Sequence, residues 1–236
     1  MPEPQQVRTM FARIAGRYDL LNRTLSLGVD RRWRRRAVRA AGDVRGRLVL
    51  DACCGTGDLA ADFARAGARV VGVDFTPEML WRAGPKLGAR APAHLFVHAD
   101  ALRLPLADGV ADVASVAFGL RNLADPDAGL RELARVVRPG GKVLVLEFTT
   151  PPGALLGGLY RLYFTRVLPR VGGLLSGDPG AYRYLPDTVL AWPAPAALEA
   201  RLRAAGLERC GHRLLSGGIA CLHWGSVPAG GEPTAG

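Results

Sequence analysis

Apolar positions along this chain follow two alternating rhythms. Short runs rich in Val and Leu, near 47–51, 69–74, 94–98, 111–117 and 142–148, are separated by stretches with helical spacing near 57–66, 77–84 and 126–138. The short runs read as buried strands, and the 3.6-residue period between them reads as helix. Such alternation predicts a parallel sheet covered on both faces, with its ligand crevice at the carboxyl ends of the strands. Ahead of the sheet, residues 7–41 look helical, with Met10, Phe11, Ile14 and Tyr18 at helical spacing and a turn around Gly28 before a second, basic helix. This predicts a helical cap over 1–45.

Residues 195–225 read as helix, strand, a turn at Gly217-Gly218, and strand, a final hairpin that would give the sheet an antiparallel edge. Within 155–171, Leu155, Leu156, Leu159, Tyr160, Tyr163, Phe164, Val167, Leu168 and Val171 oppose Arg161, Thr165, Arg166 and Arg170, which predicts an amphipathic helix. Core packing, a lid over a greasy substrate and a helix lying in a membrane interface all suit that stripe. Arg138-Pro139-Gly140-Gly141-Lys142 is expected to be plain turn chemistry, and the tail over 226–236 is expected to be disordered.

The chemistry concentrates at the first strand. Leu48-Val49-Leu50 runs into Asp51, two glycines follow as Gly55-Thr56-Gly57, a helix opens at Asp58, and a second apolar run ends in Asp74. Strand, glycine turn and helix form a cradle for a nucleotide-type cofactor. A pyrophosphate would sit on the helix N-terminus, and Asp51 would repel it. S-adenosylmethionine has no phosphate but carries an ammonium and a sulfonium, so Asp51 and Asp58 favour it over a dinucleotide. Asp74 suits the ribose hydroxyls of either cofactor.

Composition narrows the setting. A length of 236 residues suits a single α/β domain over 1–236 with its own core. Cys53, Cys54, Cys210 and Cys221 show no Cys-x-x-Cys pair and no ligand-like spacing with histidine, so reduced thiols in a cytoplasm are expected, with no metal. No apolar run approaches the ~20 residues that span a bilayer. The net charge of +10 is enriched in the run Arg31-Arg32-Trp33-Arg34-Arg35-Arg36. That run is either a solvated helix face or a grip on anionic lipid or nucleic acid.

Several separate blocks resemble one group of proteins. They are Phe11-Ala12-Arg13-Ile14-Ala15-Gly16-Arg17-Tyr18-Asp19-Leu20-Leu21-Asn22, Leu25-Ser26-Leu27-Gly28 with Trp33-Arg34, the stretch from Asp51 to Leu59, and Ala117-Phe118-Gly119-Leu120-Arg121-Asn122. Arg138-Pro139-Gly140-Gly141 leading to Leu146-Glu147-Phe148, Ala181-Tyr182-Arg183-Tyr184-Leu185 and Gly217-Gly218-Ile219-Ala220 complete the set. By these blocks the chain resembles the class I S-adenosylmethionine-dependent methyltransferases that methylate quinols at carbon. That resemblance implies a Rossmann-like seven-stranded sheet, mostly parallel with one antiparallel strand, helices on both faces and an N-terminal helical cap.

It also implies roles. Asp51, Gly55, Thr56, Gly57, Asp74, Asp100 and Ala101 are expected at the cofactor, with Asp100-Ala101 on the adenine side. Arg121 is expected to stabilise a quinolate, directly or through a water that takes the proton, and Asn122 to orient the ring oxygen. Tyr18, Asp19 and Asn22 are expected to close the pocket or position the quinol. The expected reaction is methylation of demethylmenaquinol to menaquinol, with a polyprenyl benzoquinol as the alternative acceptor. The sulfonium supplies electrophile and leaving group, so no metal is needed. Expected partners are the polyprenylated quinol and, transiently, the inner face of the cell membrane, with no nucleic acid; a homo-oligomer is left open. Phe118-Gly119-Leu120-Arg121-Asn122 stands where nucleic-acid amino-methyltransferases place an Asp/Asn-Pro-Pro-Tyr/Phe motif, and the intact carboxylate and glycine set argues against a non-catalytic regulator.

Overall fold

A computed structural model describes residues 3–26, 28–87, 94–153, 157–158, 160, 162–167 and 179–229. Three helices, α1 (Pro4–Ile14), α2 (Tyr18–Leu25) and α3 (Asp30–Ala41), precede β1 (Leu48–Ala52). The chain continues as α4 (Asp58–Arg65), β2 (Arg69–Asp74), α5 (Pro77–Leu87), β3 (His94–His98), β4 (Ala111–Ala117), α6 (Pro126–Val136) and β5 (Val137–Phe148). It ends with α7 (Pro179–Leu190), α8 (Pro195–Ala204), β6 (Glu208–Leu215) and β7 (Ala220–Ser226). The sheet order is β3-β2-β1-β4-β5-β7-β6, with β1 to β5 parallel and β7 antiparallel to both of its neighbours.

The two-residue period of β1 sorts its side chains onto the two faces. Val49 packs with Trp33 and Ala37 of α3 and Phe63 of α4, while Leu50 packs with Leu130 and Leu133 of α6 and Leu198 and Leu202 of α8. Strand order reverses between β1 and β4, which opens a crevice where the loops after these strands part.

The expected strands are present, and two details differ. The helical stretch over 7–41 breaks at residues 15–17 as well as near Gly28, so the cap is three helices. Arg138–Gly141 lies inside β5, because Val137 pairs with Ala111 and Lys142 with Val113, and the intervening residues form a bulge. Gly140 there has φ 76°, and a Cβ on Gly141 would stand 2.5 Å from Cγ1 of Val137, so this glycine pair is a steric requirement of the bulge. The amphipathic helix expected over 155–171 falls largely outside the described residues. Within that range Tyr163–Val167 forms one π-helical turn.

The arginine run divides by helical phase. Trp33 is buried and Arg34 turns inward to Asp30, Asp58 and Asp62, tying α3 to α4, whereas Arg31, Arg32, Arg35, Arg36 and Arg39 are exposed. Among the described residues no helix is long and apolar enough to cross a membrane. The tail expected to be disordered over 226–236 is ordered at its start: Ser226 closes β7 and Val227 exchanges backbone hydrogen bonds with Gly140 and Gly141, while residues from 230 onward lie outside the described residues.

Candidate active site

The crevice is framed by two strained turns. Cys53, just past β1, has φ 51°, and Phe118, just past β4, has φ 58°, a left-handed conformation unfavourable for residues with a Cβ. Gly119 lets the two turns meet: a Cβ on it would lie 2.4 Å from Cβ of Cys53. Gly57, φ 77°, does the same for the helices, since a Cβ there would lie 2.8 Å from Cβ of Ala83 in α5.

Asp74 ties the β1 turn to β2. Its Oδ2 accepts from the Gly55 amide at 2.8 Å and its Oδ1 from the Thr76 amide at 2.8 Å. Burial pushes this carboxyl above its ordinary range, against the pull of those two amides. Around it the cleft wall is formed by Tyr18, Gly55, Phe75, Met79, Asp100, Ala101, Phe118 and Asn122, with Val7, Arg8 and Phe11 of α1 closing one side. The Arg8 guanidinium lies 5.8 Å from the Phe75 ring centre. Asp100 is exposed at the rim, its Oδ1 accepting from the Leu102 amide at 2.9 Å.

Asp51 sits behind this wall, 1% exposed. Its Oδ1 accepts from the Ser115 hydroxyl at 3.0 Å, and beyond that the carboxyl has only the Ala60 amide to lean on, with no well-formed bond to Oδ2 among the described residues. Burial pushes its carboxyl up to about 7, partly offset by the Ser115 bond. Burial also raises the Cys53 and Cys54 thiols well above their usual range, with Asp51 and Asp74 adding to the effect, so neither is poised as a thiolate.

Thr56 is set back from the cleft too. Its hydroxyl donates to Asp19 at 2.5 Å and accepts from Lys86 Nζ at 2.8 Å. Lys86 also reaches Asp19 at 2.7 Å and Asp58 at 2.8 Å. These contacts form a polar seam joining α2 to the glycine turn and α5. Asn22 hydrogen-bonds Tyr18, whose ring meets Phe11 edge-on at 6.0 Å; burial raises the Tyr18 hydroxyl.

Beyond β4 the chemistry changes character. Arg121 is buried, and its Nη1 donates to Glu147 Oε2 at 2.6 Å and to the Phe118 carbonyl at 2.7 Å. The Arg121 amide donates to Glu147 Oε1 at 3.3 Å, and the guanidinium stands 5.4 Å from the Phe148 ring centre. Asn122 reaches the cleft wall, its Nδ2 3.3 Å from the same Phe118 carbonyl, and its Oδ1 accepts from the Tyr184 hydroxyl at 2.9 Å. The left-handed turn at Phe118 thus presents one carbonyl to two neighbouring side chains. Aromatic and aliphatic groups enclose this end: Phe118 and Phe148 stack at 4.5 Å, and Ile14, Tyr160 and Val189 pack with Phe11, Tyr18 and Ile219.

Of the residues singled out from sequence, Tyr18, Gly55, Asp74, Asp100, Ala101 and Asn122 line the cleft. Asp51, Thr56, Gly57, Asp19, Asn22 and Arg121 stand behind them, in the seam, the turns or the buried pair. Glu147, Tyr184 and Lys86 carry interactions that the sequence reading did not assign. Glu147 had a visible signal, a lone carboxylate closing an apolar run, as at Asp51 and Asp74.

A seven-stranded sheet of this order with its cleft at the β1/β4 switch point defines the class I methyltransferase fold. A solved methyltransferase of Thermotoga maritima shares it at a TM-score of 0.65 and 18% identity, covering 93% of this chain and 98% of that one. The profile of the ubiE/COQ5 methyltransferase family matches residues 2–227, and the chain belongs to that family. A demethylmenaquinone methyltransferase of Thermus thermophilus is 52% identical over 221 residues, covering 93% of this chain and 100% of that protein. A ubiquinone/menaquinone biosynthesis C-methyltransferase of Syntrophotalea carbinolica is 48% identical over 223 residues, covering 94% of each.

Proposed function

We propose that this methyltransferase moves the methyl group of S-adenosylmethionine to a ring carbon of demethylmenaquinol, giving menaquinol. The full-length similarity to the Thermus thermophilus protein of that name carries the choice of acceptor. The residues fit the donor by their chemistry: the buried, sparsely hydrogen-bonded Asp51 carboxyl at the glycine turn suits a cationic ligand and disfavours a pyrophosphate. When bound, the donor supplies an activated methyl and a neutral thioether leaving group.

In this reading Asp74 accepts from the ribose hydroxyls, Gly55 and Gly57 allow close approach of the turn, and Asp100 and Ala101 meet the adenine. Asp51 and Thr56 hold the turn from behind, Asp51 favouring the cationic end of the cofactor. The quinol ring enters the aromatic end. Asn122 orients its oxygen, and Arg121, clamped by Glu147, stabilises the quinolate directly or through a water that takes the hydroxyl proton. Deprotonation pushes electron density onto the ring carbon, the methyl would form its new bond there as the sulfur–carbon bond breaks, and loss of that carbon's proton to water, with reprotonation of the oxygen, restores the aromatic quinol. Tyr18, Asp19 and Asn22 close the cap over both ligands. Positioning at near-attack distance is the main protein contribution.

The acceptor's isoprenoid tail places the working enzyme at the inner face of the cell membrane, as a cytoplasmic protein touching the bilayer through exposed arginines and apolar groups such as Leu20 and Leu162; assembly into a homo-oligomer is compatible with this reading. A polyprenyl benzoquinol is the second reading, favoured by the dual name of the Syntrophotalea carbinolica relative. Transfer of labelled methyl from S-adenosylmethionine to short-tailed demethylmenaquinol and to a matching benzoquinol, under reducing conditions, tests both. Faster naphthoquinol turnover supports the first reading, and a preference for the benzoquinol supports the second. Cofactor binding with transfer to neither overturns both.

A further inference from the structure

We propose that Tyr184 is a positioning residue of methyl transfer, acting through Asn122; the proposal rests on the reading above that Asn122 meets the quinol oxygen. Tyr184 belongs to α7, far along the chain from the β4 turn, yet its hydroxyl is the closer of the two partners that hold the Asn122 side chain. The Tyr184 bond to Oδ1 is 2.9 Å, whereas Nδ2 stands 3.3 Å from the Phe118 carbonyl. At those lengths the tyrosine contact is well formed and the carbonyl contact is marginal.

An asparagine amide has two chemically opposite ends, and its orientation is set by its partners. Here a hydroxyl donor faces Oδ1 and a carbonyl acceptor faces Nδ2. Flipping the amide would set two oxygens against each other at Phe118 and leave the tyrosine proton facing an NH2 group. This orientation leaves one Nδ2 hydrogen, a donor, unused by Phe118 and available to the cleft that Asn122 lines. A donor is the group that a developing quinolate oxygen requires. Without the Tyr184 hydroxyl, only the 3.3 Å contact restrains the amide, and the oxygen end can turn toward the quinolate.

Burial raises the Tyr184 hydroxyl above its ordinary range, so it stays protonated and donates throughout the working pH range. The charges of Arg121 and Glu147, the buried pair that fixes the turn, both act on this hydroxyl. The helix carrying Tyr184 also supplies Val189 to the apolar enclosure around Ile14 and Tyr160.

The test is a double-mutant cycle in the full-length protein with short-tailed demethylmenaquinol: wild type, Tyr184→Phe, Asn122→Ala and the double variant. Tyr184→Phe keeps the ring and its packing and removes only the hydroxyl. The expected result is a kcat about 10-fold lower, KM for quinol and cofactor within about twofold of wild type, and no further loss when Tyr184→Phe is added to Asn122→Ala. Wild-type kcat in Tyr184→Phe, a rise in KM alone, or multiplying losses in the double variant would each overturn the proposal. Failure of the wild type itself to methylate the quinol is a separate outcome, which removes the reading of Asn122 and this proposal with it.

Discussion

The two ends of the cleft are held together in opposite ways. At the glycine-turn end the bonds that fix the turn itself run from the Gly55 and Thr76 backbone amides to one carboxylate, Asp74, with side-chain contacts from Ser115, Asp19 and Lys86 supporting it from behind. At the aromatic end the groups come from α2, the β4 turn, β5 and α7, and the anchoring bonds run between side chains and a single carbonyl, that of Phe118. Backbone amides survive most substitutions, whereas a side-chain network loses a member with each one. The glycine-turn end is therefore the tolerant half and the aromatic end the fragile half.

Removing Glu147 should break that contrast most severely. In Glu147→Ala the buried Arg121 guanidinium loses its carboxylate, a change that lowers stability by about 3–5 kcal/mol. Thermal unfolding should show a midpoint roughly 10 °C lower, with methyl transfer lost. A midpoint within a degree or two of wild type would mean that the pair holds little.

Asp51 sharpens the comparison from the cofactor side, through pH. Its carboxyl is raised from 3.8 to about 7, so the folded protein keeps a proton that the unfolded chain releases in that window. The sign follows: stability from this group is present below about pH 4 and is lost as pH rises to about 7. Asp51→Asn removes the slope, and its stability relative to wild type should rise by about 2–3 kcal/mol between pH 5 and pH 8 in urea unfolding. A constant difference across that range would contradict the burial of an ionisable Asp51.

The smallest effect is expected at the seam. Lys86 is partly exposed, and Lys86→Met should cost about 1 kcal/mol or less. The local consequence should be clearer than the global one: faster amide exchange in α2, with β1 and β4 unchanged. Equal acceleration in the strands would show that the cap and sheet do not open separately.

The same contrast explains what the sequence revealed. Strands, crossover helices and the turn that brings the Gly55 amide onto Asp74 were legible because hydrophobic period and turn chemistry are local signals. The strand-end carboxylate Glu147 was legible in kind, but its partner was not, since nothing local pairs it with Arg121. Thr56 looked like a cofactor contact, yet its hydroxyl turns to Asp19 and Lys86, a choice made by α2 and α5 from outside the motif. Arg34 lay within an arginine run whose residues look alike in sequence. Only the helical phase against Asp58 and Asp62 of α4 separates it from the exposed arginines of α3. Tyr184 was visible as part of a block, and its contact with Asn122 spans 62 residues.

In the proposed mechanism, cofactor capture and acceptor activation reside in separate halves of one cleft. Asn122→Ala tests it most directly, with S-adenosylmethionine affinity measured by calorimetry and methyl transfer measured in single turnover on the same preparation. The account predicts affinity within about twofold of wild type and transfer slower by about 100-fold. Parallel loss of binding and transfer, or transfer at the wild-type rate, would contradict it.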